Sequence, residues 1–213
     1  MIAHLIVGLL ALQTPATPAR TASSPTATLI ALYDSAHDAD TKESIIRHLA
    51  DRGDEAAVAK IITIAKTDAD SDLREEAIRS LADESGEART TLLLQLYDEE
   101  RDPDLKETLL RHLADRGDAR VTTRLIAIAK SSTDEDLQEA AIRLLADDGS
   151  EARTTLLIEL YDGTASADAK EEIIRHLGER DGAKAAQKLE AIAKGDADAD
   201  LRDAAIREIA NRR

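Results

Sequence analysis

Apolar residues along most of this chain recur at the spacing of helices. In TTLLLQLYD, Thr90–Asp98, the side chains of Leu93, Leu96 and Tyr97 share one helical face. In PDLKETLLRHLAD, Pro103–Asp115, Leu105, Leu109 and Leu113 recur every fourth residue with Leu110 beside them, and polar residues fill the opposite side. The two stretches predict a pair of helices joined by a short turn. Asp102 is placed to cap the second helix, with Pro103 in the first helical position, where a missing N–H does no harm.

The pair recurs throughout the chain. Arg47, Arg79, Arg111, Arg143, Arg175 and Arg207 stand 32 residues apart without one insertion. Stepping the cap by 32 gives Asp38, Asp70, Asp134, Ser166 and Asp198, all able to accept from a helix N-terminus. Identity is stronger at 64 residues: RHLADRGD at Arg47–Asp54 returns unchanged at Arg111–Asp118 and, altered to RHLGERDG, from Arg175. Tyr33, Tyr97 and Tyr161 keep the same step, as do Lys66, Lys130 and Lys194. The chain therefore predicts six two-helix units grouped in three blocks, with odd and even units of different kinds. Gly53, Gly117 and Gly149 follow second helices, where a left-handed residue ends a helix with least strain. Ser24-Pro25 starts the first helix of the first unit.

These helix pairs resemble HEAT repeats, in particular the short repeats of phycocyanobilin-lyase-like HEAT proteins. The residues that carry the resemblance are Asp-Pro-Asp-Leu-Lys-Glu at 102–107, Asp72-Leu73-Arg74-Glu75-Glu76-Ala77 and Ala204-Ala205-Ile206-Arg207. It covers residues 24–213 and implies an all-α, right-handed α-solenoid, with first helices on the convex side and second helices lining a concave surface. HEAT arrays mostly serve as binding surfaces, so the implied role is a non-catalytic interaction module or scaffold for a protein or peptide. The resemblance alone also suggests an alternative, a bilin-lyase-like protein acting on a chromophore-carrying partner.

Composition fits the repeat reading. The chain of 213 residues has no Cys, Trp or Phe and only three Tyr, and thin stacked units can build a core from aliphatic side chains alone. Absence of Cys excludes disulfides, thiolate chemistry and zinc–cysteine sites. A net charge of −15 repels phosphate backbones and argues against nucleic acid, including the base-flipping chemistry of HEAT-like glycosylases, which needs aromatics to hold a base. Scarcity of aromatics likewise argues against a pigment cavity.

The first residues are of another kind. Ile2–Leu12 is an apolar run too short to span a bilayer, followed by the small residues Thr17-Pro18-Ala19. Residues 1–19 read as a signal peptide and 20–23 as a short linker ahead of the solenoid at 24–213. The expected mature chain is exported, periplasmic or secreted, and has no membrane span. The leader departs from the usual pattern in having no Lys or Arg before Arg20.

Candidate chemistry is sparse. His48, His112 and His176 occupy one position of alternate units; stacked helices lie about 8–10 Å apart, so these rings are roughly 16–20 Å from one another and cannot share a metal. The acidic runs at Asp68–Asp72 and Asp196–Asp200 lack the glycine turn and distal Glu of a calcium loop and read as helix caps and first-turn acids. No catalytic group, metal or cofactor is predicted. The arginine row is more informative, because it falls opposite the apolar stripe, with acids one turn away on either side, as in Glu75-Arg79-Asp83 and Glu171-Arg175-Glu179. The expected partner-binding face comprises Arg47, Arg79, Arg111, Arg143 and Arg175 with His48, His112 and His176, and its excess acid favours a partner with basic segments. On the convex side Asp34, Lys66, Asp98, Lys130, Asp162 and Lys194 alternate in sign, which predicts ion pairs between neighbouring units. Glu190 replaces the Ile or Leu found at 30, 62, 94, 126 and 158, as expected of a solvated end unit.

Overall fold

A computed structural model describes residues 24–147 and 149–212, so the expected signal peptide and linker lie outside the described residues. Each 32-residue unit is a helix pair. The first unit is α1 (Pro25–Ser35) and α2 (Ala39–Arg52), and the second is α3 (Glu55–Thr67) and α4 (Ser71–Ala82). The third is α5 (Glu87–Glu99) with α6 (Pro103–Ala114), and the fourth α7 (Ala119–Ser131) with α8 (Glu135–Ala146). The last two are α9 (Glu151–Gly163) with α10 (Ala167–Gly178), and α11 (Ala183–Gly195) with α12 (Ala199–Asn211). No strand occurs among the described residues.

The second helices begin where their sequence signals place them. Asp38, Asp70, Asp102, Asp134, Ser166 and Asp198 each accept a backbone N–H with the side chain, which satisfies a donor that the helix itself leaves open. An acid follows in the first turn of each, favoured by the helix dipole. The first helix of the third unit starts at Glu87, earlier than its apolar stripe at Thr90, because Glu, Ala and Arg extend a helix without contributing to the core.

Two rows of side chains hold the stack together. Ile46, Ile78, Leu110, Ile142 and Ile174 come from successive second helices, and Ile64, Leu96, Ile128, Leu160 and Ile192 from successive first helices; all are buried. Second helices pack more closely on one another than first helices do, so they form the inner, concave layer of the curved stack.

The C-terminal ends of the second helices are closed in two ways, and Gly149 is not one of them. Gly53 and Gly117 are left-handed, at φ 59° and 63°, as the sequence suggests. Gly149 is not, and α8 passes instead into Asp147 in a right-handed conformation. The reason is an arginine from the next unit. Arg116 donates to the carbonyls of Ala82 and Glu84 at 2.6 and 2.8 Å, and Arg180 donates to Ala146 O at 2.5 Å. A guanidinium thus serves the exposed carbonyls at even-unit ends, and glycine serves the first two odd ones. The third block departs from this scheme and compensates. Asp181 stands where Gly53 and Gly117 stand, and Arg212, at the position of Glu84, donates to Leu177 O and Gly182 O at 3.4 Å and to Arg180 O. The altered third octet is therefore matched by an altered last helix.

Replacing Arg116 by Ala should lower stability by about 1.5–3 kcal/mol, the usual range for hydrogen bonds to a charged group. The loss should fall at the lower end, since Nε and Nη1 of that guanidinium are buried without partners. Urea denaturation monitored by circular dichroism would measure it, and an unchanged midpoint would remove the arginine's assigned role.

Candidate protein-binding face

All six row arginines are exposed on the second-helix face, as the 100° count requires. Their partners differ from the expected sandwich. Arg47 pairs with Glu43 one turn back but also reaches across to Glu76 of the next unit, Nε to Oε1 at 3.0 Å. Arg79 takes Glu75 and the same Glu76, at 3.1 and 2.5 Å. Arg143 reaches back to Glu107 at 2.8 Å, and that acid is consequently withdrawn from Arg111. Arg111 is left donating to Thr108 Oγ1 at 3.3 Å, with no ion pair among the described residues. Of the acids one turn ahead, Glu179 pairs with Arg175, at 3.0 Å, and the others stay apart from their arginines among the described residues. Cross-unit pairs win because the curved stack brings neighbouring second helices close on this side.

Two acids that periodicity does not single out hold the face together. Glu76 is 6% exposed and bridges arginines of two units. Glu172 sits between Arg175 and His176, whose Nε2 lies 3.0 Å from Oε1. Burial alone would raise the Glu172 carboxyl, but hydrogen bonds from His176 and Arg175 outweigh it and bring its pKa from 4.5 down to about 2. A depressed carboxylate adds stability above its unfolded pKa, and that contribution disappears as pH falls through the folded one. Glu172→Gln should therefore destabilise the protein at neutral pH, and the gap to wild type should close between pH 4.5 and about 2. Denaturation midpoints of the two proteins across that range would test it, and a gap constant with pH would refute it.

The three histidines share a position and not an environment. The side chain of His48 is 63% exposed, His112 is half-buried, and His176 is buried between Glu172 and Glu179. Burial, with Arg111 and Arg79 nearby, holds the His112 imidazole below its ordinary value. His48 and His112 remain accessible to a partner, whereas His176 is part of the packing.

The convex alternation of charge is real in sequence but pairs differently in space. Asp34, Asp98 and Asp162 contact Lys60, Arg124 and Lys188 at 2.6, 3.0 and 2.5 Å, each in the middle of the next first helix. Lys66 pairs with Glu99 at 2.8 Å, Lys194 with Glu190 at 3.1 Å, and Lys130 lies against Gly163. Neighbouring first helices are offset along their axes, so residues 32 apart do not face each other. Beneath these pairs lie the three tyrosines. Each ring is flanked by two cations: Lys42 and Lys60 at Tyr33, Lys106 and Arg124 at Tyr97, Lys170 and Lys188 at Tyr161, at 4.7 to 5.9 Å. Tyr33 and Tyr161 donate at 2.7 Å to Asp68 and Asp196, carboxylates of the two acidic runs. Burial, and then those carboxylates, push both phenols upward. The acidic runs thus have structural partners of their own, and no group of three candidate metal ligands assembles among the described residues.

A cleft of about 360 Å³ opens on the concave face between α8, α10 and α12. Seven carboxylates line it, Glu135, Glu139, Asp168 and Glu171 among them, against two guanidiniums, Arg175 and Arg207. No aromatic ring contributes to its walls.

A regular stack of helix pairs with a polar concave face defines the class of α-solenoids. The sequence pattern of HEAT repeats matches residues 26–114 and 122–210, and the chain belongs to the HEAT-repeat family. Such repeats are commonly protein-interaction scaffolds. Among curated proteins none matches the chain.

Proposed function

We propose that this protein is an exported, non-catalytic scaffold whose concave face holds a protein or peptide with basic segments. The observation that carries this reading is the cleft between α8, α10 and α12, where carboxylates outnumber guanidiniums seven to two. Such a surface attracts cationic side chains at long range, and the arginine row supplies regularly spaced donors once a chain is seated. Arg111 is the most available of these, having Thr108 as its contact and no ion pair among the described residues. The walls offer no aromatic platform for a pigment. Export is supported by the apolar run Ile2–Leu12 and the small residues at 17–19.

The test uses a lysine-rich peptide as probe. Its affinity should fall as salt rises, and Glu135→Gln, Glu139→Gln and Glu171→Gln together should weaken it at least about ten-fold at low ionic strength. Neutralising the convex acids Asp34, Asp98 and Asp162 is the control and should change it little. Equal losses from the two sets would show a diffuse field effect and overturn the assignment. Secreted material should begin near Arg20 by mass spectrometry, and an intact Met1 would count against export.

A further inference from the structure

We infer that copies of this chain associate end to end, the last unit of one copy receiving the first unit of the next. Two large hydrophobic side chains are exposed among the described residues, Leu32 at 51% and Ile206 at 52%. One lies in the first unit and the other in the last. Their counterparts in every other unit are buried: Ile64, Leu96, Ile128, Leu160 and Ile192 for Leu32, and Ile46, Ile78, Leu110, Ile142 and Ile174 for Ile206. Inside the chain these two rows meet. Ile78 of the second unit and Leu96 of the third line one small cavity together with Leu109. Ile206 and Leu32 are therefore the two open halves of a junction that the chain already closes within itself.

The register also fits. The last unit is even and the first is odd, so an end-to-end contact repeats the even-to-odd junction between the second and third units. The polar groups of that junction have counterparts at the two ends. Arg74 pairs with Asp102 at 2.9 Å across it; the equivalent residues are Arg202 at the tail and Asp38 at the head. Arg202 donates to its own loop, to Asp196 O at 2.7 Å, just as Arg74 also donates to Asp68 O. Arg116 donates to Ala82 O, and the equivalents are Arg52 and Ala210 O. At the head, Arg52 is turned onto Thr26 and Asp54 instead.

The outer rim repeats less well. Glu190 stands where Ile62 and Ile126 pack on the core, and Ser35 where Glu99 receives Lys66. The contact is accordingly weaker than an internal junction, and association should be reversible and dependent on concentration. A head-to-tail contact uses two different surfaces and does not close on itself at two copies, so short linear chains should form rather than a symmetric dimer. The acidic concave face would then continue from one copy to the next.

The experiment is sedimentation velocity from micromolar to millimolar concentration, on the full chain and on a chain beginning at Arg20. Average mass should rise with concentration in at least one form; a rise confined to the shorter chain would place the leader on the head of the precursor and still support the contact. Leu32→Glu should disable the head and Ile206→Glu the tail, each giving a monomer with an unchanged helical signal, because both side chains are exposed in a single copy. Mixing the two variants should restore association and stop at one-to-one pairs. Both forms remaining monomeric at all concentrations would overturn the inference. Loss of association with one variant and none with the other would do so equally, since that marks a like-with-like contact.

Discussion

Excision of residues 88–151 should leave a soluble, helical protein that unfolds cooperatively, whereas excision of the shorter segment 56–87 should be worse by on the order of 3–5 kcal/mol, the range for stripping partners from a buried charge. The larger cut removes one whole block and joins an even unit to an odd one. Arg180 then reaches the carbonyl of Ala82 in place of Arg116, and Leu160 meets Ile78 in place of Leu96, so each contact is replaced by its own repeat. The smaller cut joins two odd units. Leu92 takes the place of Lys60, so Tyr33 and Asp34 both lose their cation. Arg47 loses the buried acid Glu76 and meets Thr108 instead. Arg116 is brought against α2, whose end Gly53 already closes and where Arg52 adds a like charge. Urea midpoints with slopes, read by circular dichroism, would rank the two proteins. Equal stability would mean that the odd and even units are interchangeable.

Ile142→Ala should cost about 2–5 kcal/mol, while Ile206→Ala, at the same position of the last unit, should stay within about 0.5 kcal/mol in dilute solution. The two residues are chemically identical and occupy the same turn of equivalent helices. Ile142 is 0% exposed and Ile206 is 52% exposed. In a linear stack each unit is stabilised through its neighbours, so the cost of a deletion follows the presence of a next unit rather than the residue type. Thermal or urea unfolding of the two variants would decide the matter. Comparable losses would mean that Ile206 is covered in the isolated chain.

What could be read from the sequence was whatever is local to one helix or fixed by the period. The six caps, the two-helix unit, the block step and the exposure of the arginine row all follow from side-chain spacing along a single helix. Partners across units do not, because they depend on how far one helix is offset against the next. Glu107 therefore looked like the partner of Arg111 and serves Arg143, and Asp98 looked matched to Lys66 and Lys130 and pairs with Arg124. Gly149 resembled the stops at Gly53 and Gly117, but α8 is the helix end that Arg180 closes. A signal for that arginine was present: Arg52, Arg116 and Arg180 keep the 64-residue step within the repeated octet. The tyrosine sites had one too, since a cation follows each tyrosine at offsets of 9 and 27 residues in all three blocks.

Those tyrosines give the molecule an optical label of its own. The chain has no tryptophan and three tyrosines, one in each block, so its near-ultraviolet absorbance comes from three phenols in matched surroundings. Burial raises the pKa of all three, and unfolding a block would release its phenol to ordinary alkaline titration. The central site carries a distinguishing mark, because Ser132 stands where the outer blocks place Asp68 and Asp196. With two of the three changed to phenylalanine, the remaining ring reports on one block. The order in which the stack opens from its ends could then be followed in a spectrophotometer, with no dye attached and no surface residue altered.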